Sequence, residues 1–202
     1  MFRETILDIF ANNWPMILIF TTIIVSIRVT QLLYHKESFH FYKEILSLGF
    51  VIYILCLFYV VTFQDVSWSS SNFVPFTEMF RYRLGTNMFY RNVIGNMIMF
   101  VPYGFFVSYY LKPKKGYIIF LLSFIASATI ETTQMQIGRV FDIDDILLNL
   151  CGGMLGYLLY EFIIYIKAHL PQMLKKEAFY NIIMVIAICV IIAYLCYSPI
   201  GG

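Results

Sequence analysis

The sequence predicts an all-α, polytopic membrane helix bundle with about six transmembrane helices and a short interfacial amphipathic helix. The first observation behind this fold class is composition: of 202 residues, 60% are hydrophobic and only 13% are charged. A soluble domain of this length carries far more charge on its surface. The second observation is that six segments reach the roughly 20 apolar residues that a helix needs to cross a bilayer.

The six predicted spans follow one another without an internal repeat or a low-complexity linker. We therefore expect a single integral membrane domain over residues 1–202, with an amphipathic lead-in at Phe2–Phe10. The last span contains no charge and is expected to face lipid. The predicted spans are Trp14–Tyr34, Ile45–Phe63, Val93–Leu111, Tyr117–Ile137, Ile146–Ile166 and Phe179–Tyr197.

The loops that follow spans one, three and five hold most of the Lys and Arg residues. Because basic loops stay in the cytoplasm, both termini, the loop 64–92 and the turn 139–145 are expected outside. The start of the chain lacks the basic region and cleavage site of a signal peptide. A net charge of +2 with dispersed basic residues argues against a nucleic-acid partner. The four cysteines lie in apolar segments without metal-ligand spacing, which predicts reduced thiols.

The loop 64–92 is patterned as more than a connector. Thr77 is a plausible N-cap and Gly85 a stop signal for an amphipathic helix in the outer interface. A lid that packs over the bundle is the alternative. The apolar residues at helical spacing are Phe73, Phe76, Phe80 and Leu84.

Spans three to five carry polar side chains that enter the membrane from the same side. Ionisable groups at membrane depth cost several kcal/mol unless they are paired or hydrated, so we expect these groups to converge in one outward-facing pocket. The candidate pocket residues are Asn92, Asn96, Glu131, Gln134, Arg139, Asp142, Asp145 and Asn149.

Several of these residues also have a structural interpretation. Asn92 and Asn96 would make interhelical hydrogen bonds, and Glu131 would pair with Arg139 or Arg91. A carboxylate in the first turn of a helix is stabilised by the helix dipole, which would explain Asp142 or Asp145. Asp144 lies off their shared face and is expected to be solvated. Gly152 and Gly156 form a small-residue packing face for a neighbouring helix.

Three ordered motifs resemble those of the VanZ-like family. They are N-F-V-P-F at Asn72–Phe76, N-x-x-x-N…F-x-P-x-G at Asn92–Gly104, and E-x-x-Q…R-x-x-D-x-x-D…N-x-x-G-G-x-x-G at Glu131–Gly156. The resemblance covers about residues 55–165 and leaves the helices 14–34 and 179–197 as flanking elements. It implies a multi-pass protein of the bacterial cytoplasmic membrane that is linked to teicoplanin resistance or cell-envelope homeostasis. It implies no settled reaction and no catalytic residues.

Three functions agree with these observations. The first is binding of an amphiphile, which would be a membrane lipid, a lipid-linked cell-wall precursor or a lipoglycopeptide. The second is an enzyme acting on a lipid-linked substrate, although no Ser, Cys or His nucleophile lies beside the acidic groups. Asp142 and Asp145 would then hold a divalent cation, while Arg81, Arg91 and Arg139 would bind phosphate. The third is a small transporter. The sequence predicts no oligomeric state.

Overall fold

The computed structural model describes residues 2–36, 38–63 and 71–197, and the described chain is built from α-helices. A π-helical segment, Tyr90–Ile94, leads directly into α5, and a short 3-10 turn, Gln172–Lys175, precedes α8. The α-helices are α1 Phe2–His35, α2 Phe41–Phe63, α3 Thr77–Arg81, α4 Asn87–Phe89, α5 Gly95–Leu111, α6 Tyr117–Gln136, α7 Ile143–His169 and α8 Glu177–Cys196.

Six stretches of the described chain are long and apolar enough to cross a membrane, which confirms the all-α polytopic fold class. The first helix differs from the expectation in one respect. It runs without a break from Phe2, so the predicted lead-in Phe2–Phe10 is part of α1. The six stretches are Ile6–His35, Phe41–Thr62, Asn87–Leu111, Tyr117–Gln136, Ile143–His169 and Glu177–Cys196.

The chain divides into two compact units, and the first contains α1, α2 as far as Val60, and α8. Within it, Arg28 forms a two-pronged ion pair with Glu44, with both nitrogen–oxygen distances at 2.9 Å. The Asn181 side chain of α8 accepts a hydrogen bond from the Tyr42 backbone N–H in the first turn of α2. The expectation of a single domain stays a prediction.

The second unit, residues 61–168, is held together by the close approach of α5 and α7. A Cβ atom on Gly104 would lie 1.9 Å from the carbonyl oxygen of Gly153. Cβ atoms on Gly152 and Gly156 would lie 2.0 and 2.1 Å from backbone carbonyl oxygens of α5. Glycine is therefore required on both helices, as the predicted small-residue face implies.

The turn between α6 and α7 reverses the chain at Gly138. Gly138 has a φ of 82°, a left-handed conformation that glycine adopts at no steric cost. Its N–H bonds to the Met135 carbonyl at 3.3 Å, and the Arg139 N–H bonds to the Gln134 carbonyl at 2.9 Å. These two bonds are the Schellman arrangement that ends helices, and they send the chain back towards α6.

The predicted amphipathic helix is much shorter than its apolar spacing suggests. Only Thr77–Arg81 is helical, so Phe73 and Leu84 lie outside α3. Thr77 is the first helical residue rather than the cap, and its hydroxyl donates to the Val74 carbonyl at 3.0 Å. The residue before it, Phe76, is left-handed with a φ of 69°. This backbone reversal prevents the helix from extending towards Phe73.

Candidate functional site

The facing sides of α6 and α7 form a ladder of polar and small side chains. Three α6 residues, Ser123, Ser127 and Glu131, are four residues apart and therefore lie on one face of the helix. All three are buried, at 0%, 0% and 2% exposure. Their α7 partners are also four apart, which is the register of two antiparallel helices.

The inner two rungs of this ladder are contacts between small groups. Ser123 faces Gly153 so closely that a Cβ on the glycine would lie 2.1 Å from the serine hydroxyl oxygen. The Asn149 side-chain amide donates to the Ser127 hydroxyl at 2.9 Å. Among the described residues, the Ser123 hydroxyl and the Asn149 Oδ1 atom are buried without a hydrogen-bond partner.

The third rung consists of Glu131 and Asp145, two carboxyl side chains on facing helices that interact electrostatically. Asp145, Asp142 and Arg139 all interact electrostatically with the Glu131 carboxyl group. The Asp142 backbone N–H donates to Glu131 Oε2 at 3.0 Å. This bond is formed because the turn at Gly138 brings the chain back over the C-terminal end of α6.

The third helix joins the cluster through Asn96 in the first turn of α5. Its side-chain amide donates to Asp145 Oδ1. Both side chains are half-buried. Spans three, four and five therefore meet at the Glu131–Asp145 rung.

Arg139 and Gln134 both contact the end of α2. The Arg139 guanidinium donates to the Val61 carbonyl, and the Gln134 amide lies 3.5 Å from the same oxygen. Arg139 also contributes electrostatically at Asp145. Arg139 therefore acts electrostatically on both carboxyl groups of the rung, and it is also anchored to the backbone.

Asp142 fastens two parts of the chain. Its Oδ1 atom accepts the Asp144 N–H at 2.9 Å, which is the bond of an N-cap at the start of α7. The same atom accepts the Asn72 side-chain amide at 2.9 Å. An isolated parallel bridge also joins Asn72 and Asp142 through their backbones. The capping interpretation thus applies to Asp142.

Asp144 is not solvated as expected, because its side chain is fully buried with 0% exposure. Its Oδ1 atom accepts the Phe76 backbone N–H at 2.5 Å, and its Oδ2 atom accepts the Met79 N–H at 3.0 Å. These donors belong to the start of α3, whose own side chains provide no cap. We call the contacts that Asp142 and Asp144 make with Asn72, Phe76 and Met79 of segment 71–79 the clasp.

Three predicted residues lie in α3 and in the π-helical segment that precedes α5. Asn92 is half-buried and Arg91 is exposed, both in the π-helical segment, and Arg81 is exposed at the end of α3. Such π segments are frequent at functional sites. Within the described ranges, no group of three or more His, Cys, Asp or Glu side chains is arranged to hold a metal ion. The divalent-cation and phosphate interpretations stay predictions.

The sequence reasoning missed four participants: Ser123, Ser127, Asn72 and Asp144. The serines carried a signal, since they precede Glu131 at intervals of four residues. The local sequence pattern contained no signal for the Asn72–Asp142 and Asp144–Phe76 contacts, because these contacts join residues about 70 positions apart.

A family model described as VanZ/LLP1 matches residues 50–165, which is more than half of the chain. The chain belongs to the VanZ/LLP1 family. The matched range contains the whole α6–α7 ladder, the clasp and Asn96. The predicted resemblance is therefore confirmed.

No curated protein and no solved structure matches the chain. Family membership and the six apolar helices together make this VanZ/LLP1 protein a multi-pass membrane protein of a family linked to antibiotic resistance.

Proposed function

We propose that this VanZ/LLP1 protein lowers susceptibility to lipoglycopeptides such as teicoplanin by binding the polar head of an amphiphile. The head group would contact the Glu131–Asp145 rung from the outer face of the cytoplasmic membrane. Both termini would then lie outside the cell, as the distribution of Lys and Arg predicts.

The observation that carries the proposal is the unused hydrogen-bonding capacity of the rung. An ionised carboxylate accepts about four hydrogen bonds. Among the described residues, Glu131 accepts one, from the Asp142 N–H, and Asp145 accepts one, from Asn96. Two carboxyl groups with spare acceptor sites in a bundle of apolar helices favour a ligand rich in N–H and O–H donors.

The local charge favours the same kind of ligand. Glu131, Asp142 and Asp145 interact with one another, and Arg139 is the cation that acts on Glu131 and on Asp145. Such a cluster of carboxyl groups offers acceptors to an ammonium or a hydroxyl-rich head group. Peptide and sugar portions of a lipoglycopeptide or of a lipid-linked cell-wall precursor provide such donors, and the acyl or prenyl chain would remain in the bilayer.

The clasp supports a covering role for segment 71–79, which we call the roof of this cluster. Segment 71–79 is fixed to the start of α7 by the Asn72 backbone and side chain and by both Asp144 oxygens. Asp142, which binds Asn72 in this clasp, also donates its backbone N–H to Glu131. Movement of the roof would therefore displace Asp142 and alter its hydrogen bond to Glu131 in the rung.

The test is antibiotic susceptibility in a susceptible host that expresses the full chain. Glu131→Gln and Asp145→Asn remove charge with almost no change in size, and both are expected to abolish protection against teicoplanin. Glu161→Gln is the matched control, because Glu161 is an exposed carboxylate of α7. It should protect like the wild type at equal membrane abundance.

Two results would contradict the proposal. One is full protection by Glu131→Gln and Asp145→Asn at normal abundance. The other is equal protection against vancomycin, which lacks the acyl chain of an amphiphile. A new covalent form of the lipid-linked precursors, detected by mass spectrometry, would make the protein an enzyme instead.

A further inference from the structure

Large apolar side chains are exposed on the segment that joins α2 to α5. Phe80, Leu84 and Met88 are 80%, 83% and 66% exposed. Phe80 lies in α3 and Leu84 follows it, while Met88 lies in α4 at the very start of the membrane-spanning stretch Asn87–Leu111. A water-facing loop rarely presents such side chains together, whereas a segment in a lipid interface does.

The position of the segment restricts what covers these side chains. It connects two helices that span the membrane, so it stays at one membrane boundary. Within this segment, Asn72 is joined by a backbone bridge to Asp142, immediately before the span of α7. The exposed side chains are therefore held where head groups and the outermost acyl carbons begin.

The charge of the segment selects among lipids. Arg81, Arg83 and Arg91 are exposed beside the apolar side chains. Over residues 72–92 the sequence contains a single acidic residue, Glu78, so the segment is basic. Basic residues next to a bilayer are attracted to anionic head groups and pair with their phosphates.

We propose that residues 80–91 form a docking surface for the anionic lipid interface, with Phe80, Leu84 and Met88 inserted and the three arginines on lipid phosphates. This surface is independent of the Glu131–Asp145 rung. It would fix the height of the roof in the membrane whatever ligand the rung binds.

The experiment uses the full chain, with its native cysteines replaced, in phosphatidylcholine vesicles with or without phosphatidylglycerol. A fluorophore on Leu84→Cys reports the surface, and the same label on Lys115→Cys, in the opposite loop, is the control. We expect a blue-shifted emission at position 84 and quenching by nitroxide-bearing lipids. Phosphatidylglycerol should increase the quenching at position 84 and leave position 115 unchanged.

Replacing Arg81, Arg83 and Arg91 with Gln should remove the effect of phosphatidylglycerol. Quenching at position 84 by aqueous iodide but not by lipid nitroxide would overturn the proposal, and would leave a water-facing surface for a protein partner. Equal quenching with and without phosphatidylglycerol would overturn the arginine contribution. This last comparison uses the native arginines, so it stands even if the triple variant fails to fold.

Discussion

The close contact of α5 with α7 makes Gly104→Ala a severe test of the fold. A Cβ atom at this position would lie 1.9 Å from the Gly153 carbonyl oxygen, against an ordinary contact of 3.4–4 Å. The helices would have to separate by about 1.5 Å at this point. The obstacle is backbone, so no side-chain rotation relieves it.

The destabilisation by Gly104→Ala is the cost of overpacking minus the gain in helix propensity. Overpacking of a closely packed interior typically costs about 1–3 kcal/mol. We expect about 3 kcal/mol here, because α5 and α7 also lie close together at Gly152 and Gly156, so separating them would loosen the packing there as well. Alanine is a better helix former than glycine by about 1 kcal/mol, which offsets part of the loss. A net loss of about 2 kcal/mol corresponds to a fall in Tm of roughly 4–8 °C for a chain of this size.

The assay is thermal unfolding of the purified protein in detergent, followed by the monodisperse fraction after heating. Gly49→Ala is the matched control, because a Cβ on Gly49 in α2 would meet nothing within 4 Å. Its Tm should equal or slightly exceed that of the wild type. A Gly104→Ala protein with the Tm of the control would refute the glycine-mediated contact.

The remaining predictions concern the clasp, the topology and the rung. Asp144→Ala leaves two buried N–H groups without their acceptor, so trypsin should cut at Arg83 faster than in the wild type; an unchanged rate would show that the roof is held by other contacts. A cysteine at Arg83 should react with an impermeant thiol reagent in intact cells and one at Lys115 should not, and the reverse pattern would invert the topology. Glu131→Gln keeps an acceptor for the Asp142 N–H and should preserve membrane abundance. Glu131→Leu removes that acceptor at a cost of about 1–3 kcal/mol of stability, so its membrane abundance should be lower. Equal abundance of the two variants would show that this bond is dispensable.

The spans could be predicted because their signal is local. Twenty apolar residues identify a membrane helix whatever its neighbours are, and the observed spans differ from the expected ones mainly at the starts of the first three, which lie earlier in the chain. The same reliance on local signals limits the prediction of secondary structure over residues 71–94. The spacing of Phe73, Phe80 and Leu84 is helical, yet a left-handed Phe76 and a cap from α7 leave only five residues in α3.

Asp144 shows the same limit for single side chains. A helical projection places it off the face of Asp142 and Asp145, which suggested solvent. Its oxygens are instead used by backbone N–H groups from 68 and 65 positions away. No periodicity in α7 contains that information, because the partner is an irregular segment whose position depends on the whole unit.

The acidic residues at the head of α7 divide by what their oxygens already bind. Both oxygens of Asp144 accept backbone N–H groups, and Asp142 Oδ1 accepts two donors, so these side chains hold the roof and the helix start. Glu131 and Asp145 each accept one bond from the described residues. Removing charge from the first pair should therefore loosen the structure, whereas removing it from the second pair should leave a folded protein with an altered site. A ligand with several donors has acceptors available only where the fold has not used them, which supports the proposal that recognition occurs at the rung rather than at the clasp.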